Sequence, residues 1–293
     1  MTQTALALSA PLRAPRARPA RDFRVLPGFG LTLGYTLVYV SLIVLLPLSA
    51  VFLRSAGLGP EKFWQVVTTP RVLASLRLSF GASLLATGIN AVFGFLIAWT
   101  FTRYRFAGRR LFDAMIDLPF ALPTAVAGIA LTALYTTTGW IGQLLAPFGV
   151  KVAYTPLGVV VALAFVSLPF IVRTLQPVLG DLDREVERAA ETLGASSLQT
   201  FRWVVLPSIW PALLTGIALG FSRAVGEYGS VIFIADNIPK VSEIAPLMIM
   251  TKLEQFQYAQ ATAIAVVMLT VSFALMLGIN GLQLWAQKRR RYR

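Results

Sequence analysis

Neither cysteine nor histidine occurs anywhere in the 293 residues of the chain. The first absence excludes disulfides and thiolate metal sites. The second excludes imidazole ligands and every nucleophile–histidine catalytic arrangement. Charge is scarce too: Asp, Glu, Lys and Arg make up 13% of the residues, against roughly 25% in an ordinary soluble domain. No G-x-x-x-x-G-K-[ST] segment is present, so the chain has no phosphate-cradling loop of that kind for ATP. With no carboxylate dyad either, an enzyme is not expected. No metal or other cofactor is expected on the chain, and whatever work it does must be energised by a partner or an ion gradient.

What the chain has in abundance is apolar sequence, 56% of residues with a mean hydropathy of +0.70. The apolar residues fall in runs long enough to cross a bilayer, which takes about 20 residues per helix. The expected fold is all-α, a polytopic membrane bundle of about six spans. Residues 1–28, rich in Ala, Pro and Arg, read as a disordered basic arm. The run from Leu31 to Leu53 is too long for a signal-peptide core and reads as an uncleaved helix. That helix and its outer connection take up residues 29–72, and residues 73–284 form the main membrane domain. Its spans are expected near Ala74–Phe101, Leu111–Thr137, Leu157–Val172, Ile209–Ile234 and Ala261–Leu284. Pro169 is expected to kink or end the fourth span, and residues 285–293 form a basic tail.

The net charge is +13, which in a soluble protein would point to nucleic acid. The positions of the charges point instead to topology. Arg13, Arg16, Arg18, Arg21 and Arg24 lie in the arm, and Arg103, Arg105, Arg109 and Arg110 between spans two and three. Arg173, Arg184, Arg188 and Arg202 flank the fourth–fifth connection, and Lys288 to Arg291 with Arg293 close the chain. An even number of spans puts all four clusters on one side, which the positive-inside rule makes cytoplasmic. Both termini are expected there, with anionic membrane lipid as a neighbour and no nucleic acid partner.

The fourth–fifth connection, residues 173–207, contains Asp181-Leu-Asp-Arg-Glu-Val-Glu-Arg-Ala-Ala-Glu-Thr-Leu-Gly194. Asp181 and Asp183 suit a helix N-terminus. Arg184 falls at pairing distance from Glu187, and Arg188 from Glu185 and Glu191. Gly194 can stop the helix in a left-handed conformation, and Ser196 or Ser197 can cap the next one. By periodicity this is either a solvated connector or a helix pair that docks on another protein through its small Ala189–Ala190 patch. The spacing resembles the cytoplasmic "EAA" loop of ABC importer permeases, with Ala189, Ala190, Gly194, Val204, Leu206 and Pro207 in register. The family's Glu falls on Arg188, with Glu187 one place early. The resemblance implies a type I ABC importer permease whose coupling contact with the ATPase subunit involves Glu187, Arg188, Ala189, Ala190, Gly194, Leu206 and Pro207.

Three further stretches narrow the resemblance. Asp117-Leu-Pro-Phe-Ala-Leu-Pro-Thr-Ala-Val-Ala-Gly128, Leu168 to Val178 and Ser222-Arg-Ala-Val-Gly-Glu-Tyr-Gly229 resemble sulfate permeases, which are related to molybdate permeases. Val231 to Ile238 is similar to the first of the two sulfate permease types. This implies an importer of sulfate or thiosulfate in the bacterial inner membrane. Its other components would be a separate ATP-binding subunit, a second homologous permease and a periplasmic sulfate-binding protein. A molybdate or tungstate permease is the alternative within the family. A secondary anion transporter, a class that typically shows more spans and an internal repeat, is the alternative outside it.

Asp117, Pro119, Pro123, Thr124, Arg223 and Glu227 are the candidates for the translocation path. Pro119 and Pro123 break the backbone ladder within the third span, either as a packing kink or to start a half-helix. Such a half-helix would aim the N–H groups of Thr124, Ala125 and Val126 at an oxyanion. Arg223 and Glu227, four residues apart, form either a structural ion pair with Asp117 as a third member or a path in which Arg223 meets the passing anion. Asp113 is expected near the interface, beside Arg109 or Arg110. Gly81, Gly88, Gly94, Gly216 and Gly220 are expected to allow close helix packing.

Overall fold

The computed structural model describes residues 28–291, with side chains described through residue 281. The expected arm, apart from Gly28, and the last two residues of the expected tail lie outside the described residues. Every regular element among the described residues is a helix. The chain divides into two units, residues 1–48 and 49–293, taken separately below.

The first unit holds most of helix α1 (Phe29–Ala56), whose apolar side chains are exposed along its hydrophobic window. A widened π turn at Ser41–Leu45 interrupts it. Leu46 and Pro47 follow immediately. Proline has no N–H and its ring crowds the preceding turn, so the ladder slips by one residue and Leu46 N donates to Ser41 O.

The second unit runs through α2 (Pro60–Val67), α3 (Pro70–Arg103), α4 (Arg109–Ile116), α5 (Leu118–Ala121), α6 (Thr124–Tyr135) and α7 (Trp140–Leu145). It continues with α8 (Pro156–Asp181), α9 (Arg184–Thr192), α10 (Ser197–Val225), α11 (Val231–Ile234), α12 (Ala245–Glu254) and α13 (Tyr258–Arg291). Pro60, Pro70, Pro156 and Pro246 each sit in the first turn of a helix, where the missing N–H costs nothing and φ is preset. Among the described residues of the whole chain, α1 included, six stretches are long and apolar enough to span a membrane.

The second unit is built around α8, which packs against α3 and α10. Ile171 is fully buried against Gly94 of α3 and Gly216 and Gly220 of α10. Any side chain at Gly94 would meet its Cγ2 at 3.0 Å. Gly81 and Gly88, in contrast, face open space, so three of the five expected packing glycines act as such within the chain. Along α3 a buried polar row follows the helical repeat: Ser75, Ser79, Ser83, Thr87 and Asn90. Ser79 Oγ accepts from Ala245 N at 2.7 Å at the start of α12. Asn90 donates to Ala164 O and Ser167 Oγ of α8.

Several boundaries differ from expectation. The fourth span does not end at Val172; α8 continues through Pro169 and Pro177 to Asp181. Pro169 is buried in the bundle, where packing holds the helix together despite the lost backbone bond. Arg173 to Asp181 thus belong to α8 and Ser197 to Pro207 to α10, so the connection between the spans shrinks from 173–207 to 182–196. The fifth span ends at Val225 rather than Ile234. The last helix starts at Tyr258 and carries on past Leu284 to Arg291. The third span is not one helix: its apolar window covers Thr124–Phe148, preceded by two short pieces.

Candidate functional site

Two places in the second unit gather the residues singled out above. The first is the turn of chain around α9. Asp183 caps α9 by accepting from Glu185 N at 2.8 Å, whereas Asp181 is the last residue of α8 and caps nothing here. Gly194 stops the helix with φ +85°, and Gly194 N and Ala195 N bond back to Glu191 O and Ala190 O. Ser196, rather than Ser197, opens the next helix with a full capping box to Gln199. Ala189 is exposed and Ala190 half-buried. The Arg188–Glu185/Glu191 and Arg184–Glu187 pairs do not form; Glu187 binds Arg103 at the end of α3 instead. Leu206 and Pro207 lie inside α10, just after its own π turn at Phe201–Val205, half-buried. The arrangement repeats the one in α1: a π turn, then Leu-Pro, with Leu206 N donating to Phe201 O.

The second place is the start of α6. Leu122, preceding a proline, is extended, and Pro123 stands at the N-cap without a side-chain cap bond. The helix therefore begins where the half-helix reading puts it, with the N–H groups of Thr124, Ala125 and Val126 short of helical acceptors. The turn after α10 lies directly against it. A Cβ on Gly229 would come within 2.1 Å of Thr124 Oγ1, and one on Gly128 within 2.4 Å of Ser230 O. Glu227, 2% exposed, fixes that turn. Its Oε1 accepts from Ser230 N at 2.8 Å and Ser230 Oγ at 2.9 Å, and its Oε2 pairs with Arg223 Nη1 at 2.6 Å. About a third of the Arg223 side chain is exposed. Pro123, Thr124, Arg223 and Glu227 thus belong to one neighbourhood.

Asp117 and Pro119 do not join it. Asp117 is not a third member of the Arg223–Glu227 pair, because Arg173 of α8 claims it. Arg173 Nε and Nη2 bind the two Asp117 oxygens at 2.8 and 2.5 Å. Its Nη1 reaches Asp113 Oδ1 and Gln176 Oε1, and its Nη2 also reaches Asp113 O. All five guanidinium donors are satisfied, a planar fork that lysine could not reproduce. Asp113 accordingly bonds directly to Arg173 and Gln176, with the expected Arg109 near enough to act on it electrostatically but not in a salt bridge. This clamp fastens α4 and the break before α5 to α8. Sequence reasoning missed Arg173, Gln176, Arg103 and Ser230 as partners. Three of the four act across separations of 56 to 84 residues, which local spacing cannot reveal.

The Asp113 carboxyl is raised by partial burial, but the Gln176 amide and the Arg173 guanidinium outweigh that and hold it below its ordinary value. A depressed carboxylate contributes stability above its unfolded pKa and loses it as pH falls through the folded one. The detergent-solubilised protein should therefore lose thermal stability as pH drops below about 4. Asp113→Asn should be less stable at neutral pH, by about 1 kcal/mol given the partial exposure, and should lose less on acidification. Parallel acid profiles for the two proteins would count against the clamp.

Residues 90–292 match the family described as "Binding-protein-dependent transport system inner membrane component". The chain belongs to that family. The permease is 54% identical over 260 residues to the sulfate transport system permease protein CysT of Salmonella typhimurium, spanning 89% of this chain and 94% of that one. It is 53% identical to the CysT protein of Synechocystis over 86% of this chain and 88% of that one. Its architecture is shared with the crystal structure of a bacterial ABC transporter that imports the acidic polysaccharide alginate. That likeness has a TM-score of 0.70 at 14% identity, over 86% of the permease and 93% of the solved chain. A second alginate transporter structure, in complex with a substrate-bound periplasmic protein, gives 0.69 at 17% identity, over 86% of the permease and 92% of that chain. The fold is therefore that of an ABC importer's multi-pass permease. Among its described residues no three His, Cys, Asp or Glu are placed to hold a metal ion.

Proposed function

We propose that the permease forms the anion path of an ATP-driven sulfate or thiosulfate importer in the bacterial inner membrane, with both termini cytoplasmic. The observation that carries the substrate is the identity to sulfate transport permeases, near 50% over almost the whole chain. Its partners are an ATP-binding subunit, a second homologous permease and a periplasmic sulfate-binding protein, and ATP is used by the partner. The α9 helix is the coupling helix, its exposed Ala189 side offered to the ATPase together with Arg188. The start of α6 and Arg223 face the passing dianion. Uncapped N–H groups supply hydrogen bonds without a net charge that would trap the ion, and Arg223 has N–H groups beyond the one given to Glu227.

Sulfate uptake by a strain lacking its own sulfate permease, complemented with this chain and its partners, tests the substrate. Thiosulfate should compete and molybdate should not; competition by molybdate at equal concentration would move the assignment to molybdate. The charged pair makes a second prediction. Arg223→Ala leaves the buried Glu227 carboxylate unpaired and should destabilise by about 3–5 kcal/mol. Arg223→Ala/Glu227→Gln should recover part of that loss, while uptake stays low in both because the anion contact is gone. Full recovery of uptake in the double variant would restrict Arg223 to a structural role.

A further inference from the structure

On the coupling reading above, every charged side chain of α9 ought to be available to the ATPase. The structure departs from that at one residue. Arg184, Glu185, Arg188 and Glu191 are exposed, whereas Glu187 is turned inward onto Arg103. The two side chains are 22% and 9% exposed and stand 84 residues apart in sequence. Arg103 is the last residue of α3, and its carbonyl also receives Arg184 Nη2 at 3.4 Å. Its guanidinium lies over the Trp99 ring, 5.1 Å from the centroid. Trp99 in turn meets Phe201 edge-on, and Phe201 begins the π turn of α10. One arginine therefore joins the connecting helix to the ends of two spans.

Stability alone does not account for this pair. Arg103 Nε is buried without a hydrogen-bond partner among the described residues. A half-satisfied buried ion pair is commonly no better than apolar packing of the same volume. What the pair does offer is a stiff, directional link, because a planar guanidinium held between a carboxylate and an indole face has little freedom to swing.

We propose that Arg103 and Glu187 form an internal strut that passes displacement of the coupling helix to the end of α3, so that Glu187 acts inside the permease and not on the ATPase. The residues are positioning residues. The proposal rests on α9 being the coupling helix, and the outward contact is left to Ala189, Arg188 and the exposed Leu193 and Leu198.

The test uses the complete complex in liposomes, with Glu187→Ala, Arg103→Ala and the reversed pair Arg103→Glu/Glu187→Arg. Each single variant should keep its ATPase on purification and still hydrolyse ATP, but should move about tenfold less sulfate per ATP, the size of effect found along coupled networks. The reversed pair should recover most of that ratio, which a change that merely loosened the fold would not. Loss of the ATPase with Glu187→Ala would place Glu187 on the outer face and overturn the strut. So would an unchanged ratio, or a reversed pair no better than the single variants.

A distance measurement keeps this separate from the substrate reading. The chain has no native cysteine, so spin labels at Thr100→Cys and Glu191→Cys, both exposed, report the α3–α9 distance directly. It should stay constant between nucleotide-free and ATP-bound complexes and should broaden with Glu187→Ala. A distance that changes with nucleotide in the otherwise native protein would contradict the strut. A native complex that holds its ATPase but takes up no sulfate would overturn only the substrate assignment.

Discussion

Ala189→Asp should leave the permease inserted and folded yet strip it of its ATPase. The side chain is exposed at the solvent face of α9, so a carboxylate there disturbs nothing within the chain. Once a partner closes over it, the same carboxylate is buried without a counter-ion, which costs about 3–5 kcal/mol. That is more than a hundredfold in association, and sulfate uptake should fall with it. Ala190→Asp, on the half-buried neighbour, should do the same with an added loss of permease stability. Gly194 separates conformation from space. A Cβ there meets nothing within 4 Å, but φ is +85°. Gly194→Val should therefore fail, while Gly194→Asn, tolerant of the left-handed region, should function. Co-purification of the ATPase with tagged permease, measured beside uptake in the same cells, reads each case. Normal recovery and uptake with Ala189→Asp would make α9 a mere connector.

A comparable loss is expected at the start of α6. Gly128→Ala would bring a methyl group to 2.4 Å from Ser230 O and 2.8 Å from Ser230 Cα. Both are backbone atoms, and the Glu227 carboxylate holds the same residue through its N–H and hydroxyl. The turn must move off the helix or the helix must tilt, at a cost of about 1–3 kcal/mol, and uptake should fall by about tenfold or more while the protein still inserts. Gly229→Ala is a useful contrast, since its closest neighbour is the Thr124 hydroxyl at 2.1 Å rather than backbone. Thr124→Ala should relieve part of that clash and should do nothing for Gly128→Ala. Wild-type uptake with Gly128→Ala would mean that the turn and the half-helix are not the path.

How much of this was legible beforehand follows from the range of each interaction. The apolar runs show the spans directly, because the bilayer's thickness sets their length. The cap at Asp183, the stop at Gly194 and the Arg223–Glu227 pair all act within four residues, and the sequence pattern contains them. Pro123 was readable as a helix start because a proline removes a donor wherever it stands. Pro169 does not end its helix, for the complementary reason: whether a helix survives a proline depends on what packs around it. The two π turns precede Leu46-Pro47 and Leu206-Pro207, but Leu168-Pro169 stands in unbroken α-helix, so the dipeptide alone does not announce them. The long-range pairs carried no local signal. Arg71 holds the buried Glu243 through two bonds across 172 residues, and Arg173 gathers Asp113 and Asp117. In a single sequence those residues appear only as scattered charges.

The most direct measurement is radiolabelled sulfate uptake by the purified complex in liposomes, with the ATPase subunit either native or disabled for hydrolysis. The account predicts uptake only when native ATPase, ATP and the periplasmic binding protein are all present, and none with the permease alone. Sulfate entry driven by an ion gradient without ATP, or unaffected by the disabled ATPase, would contradict it.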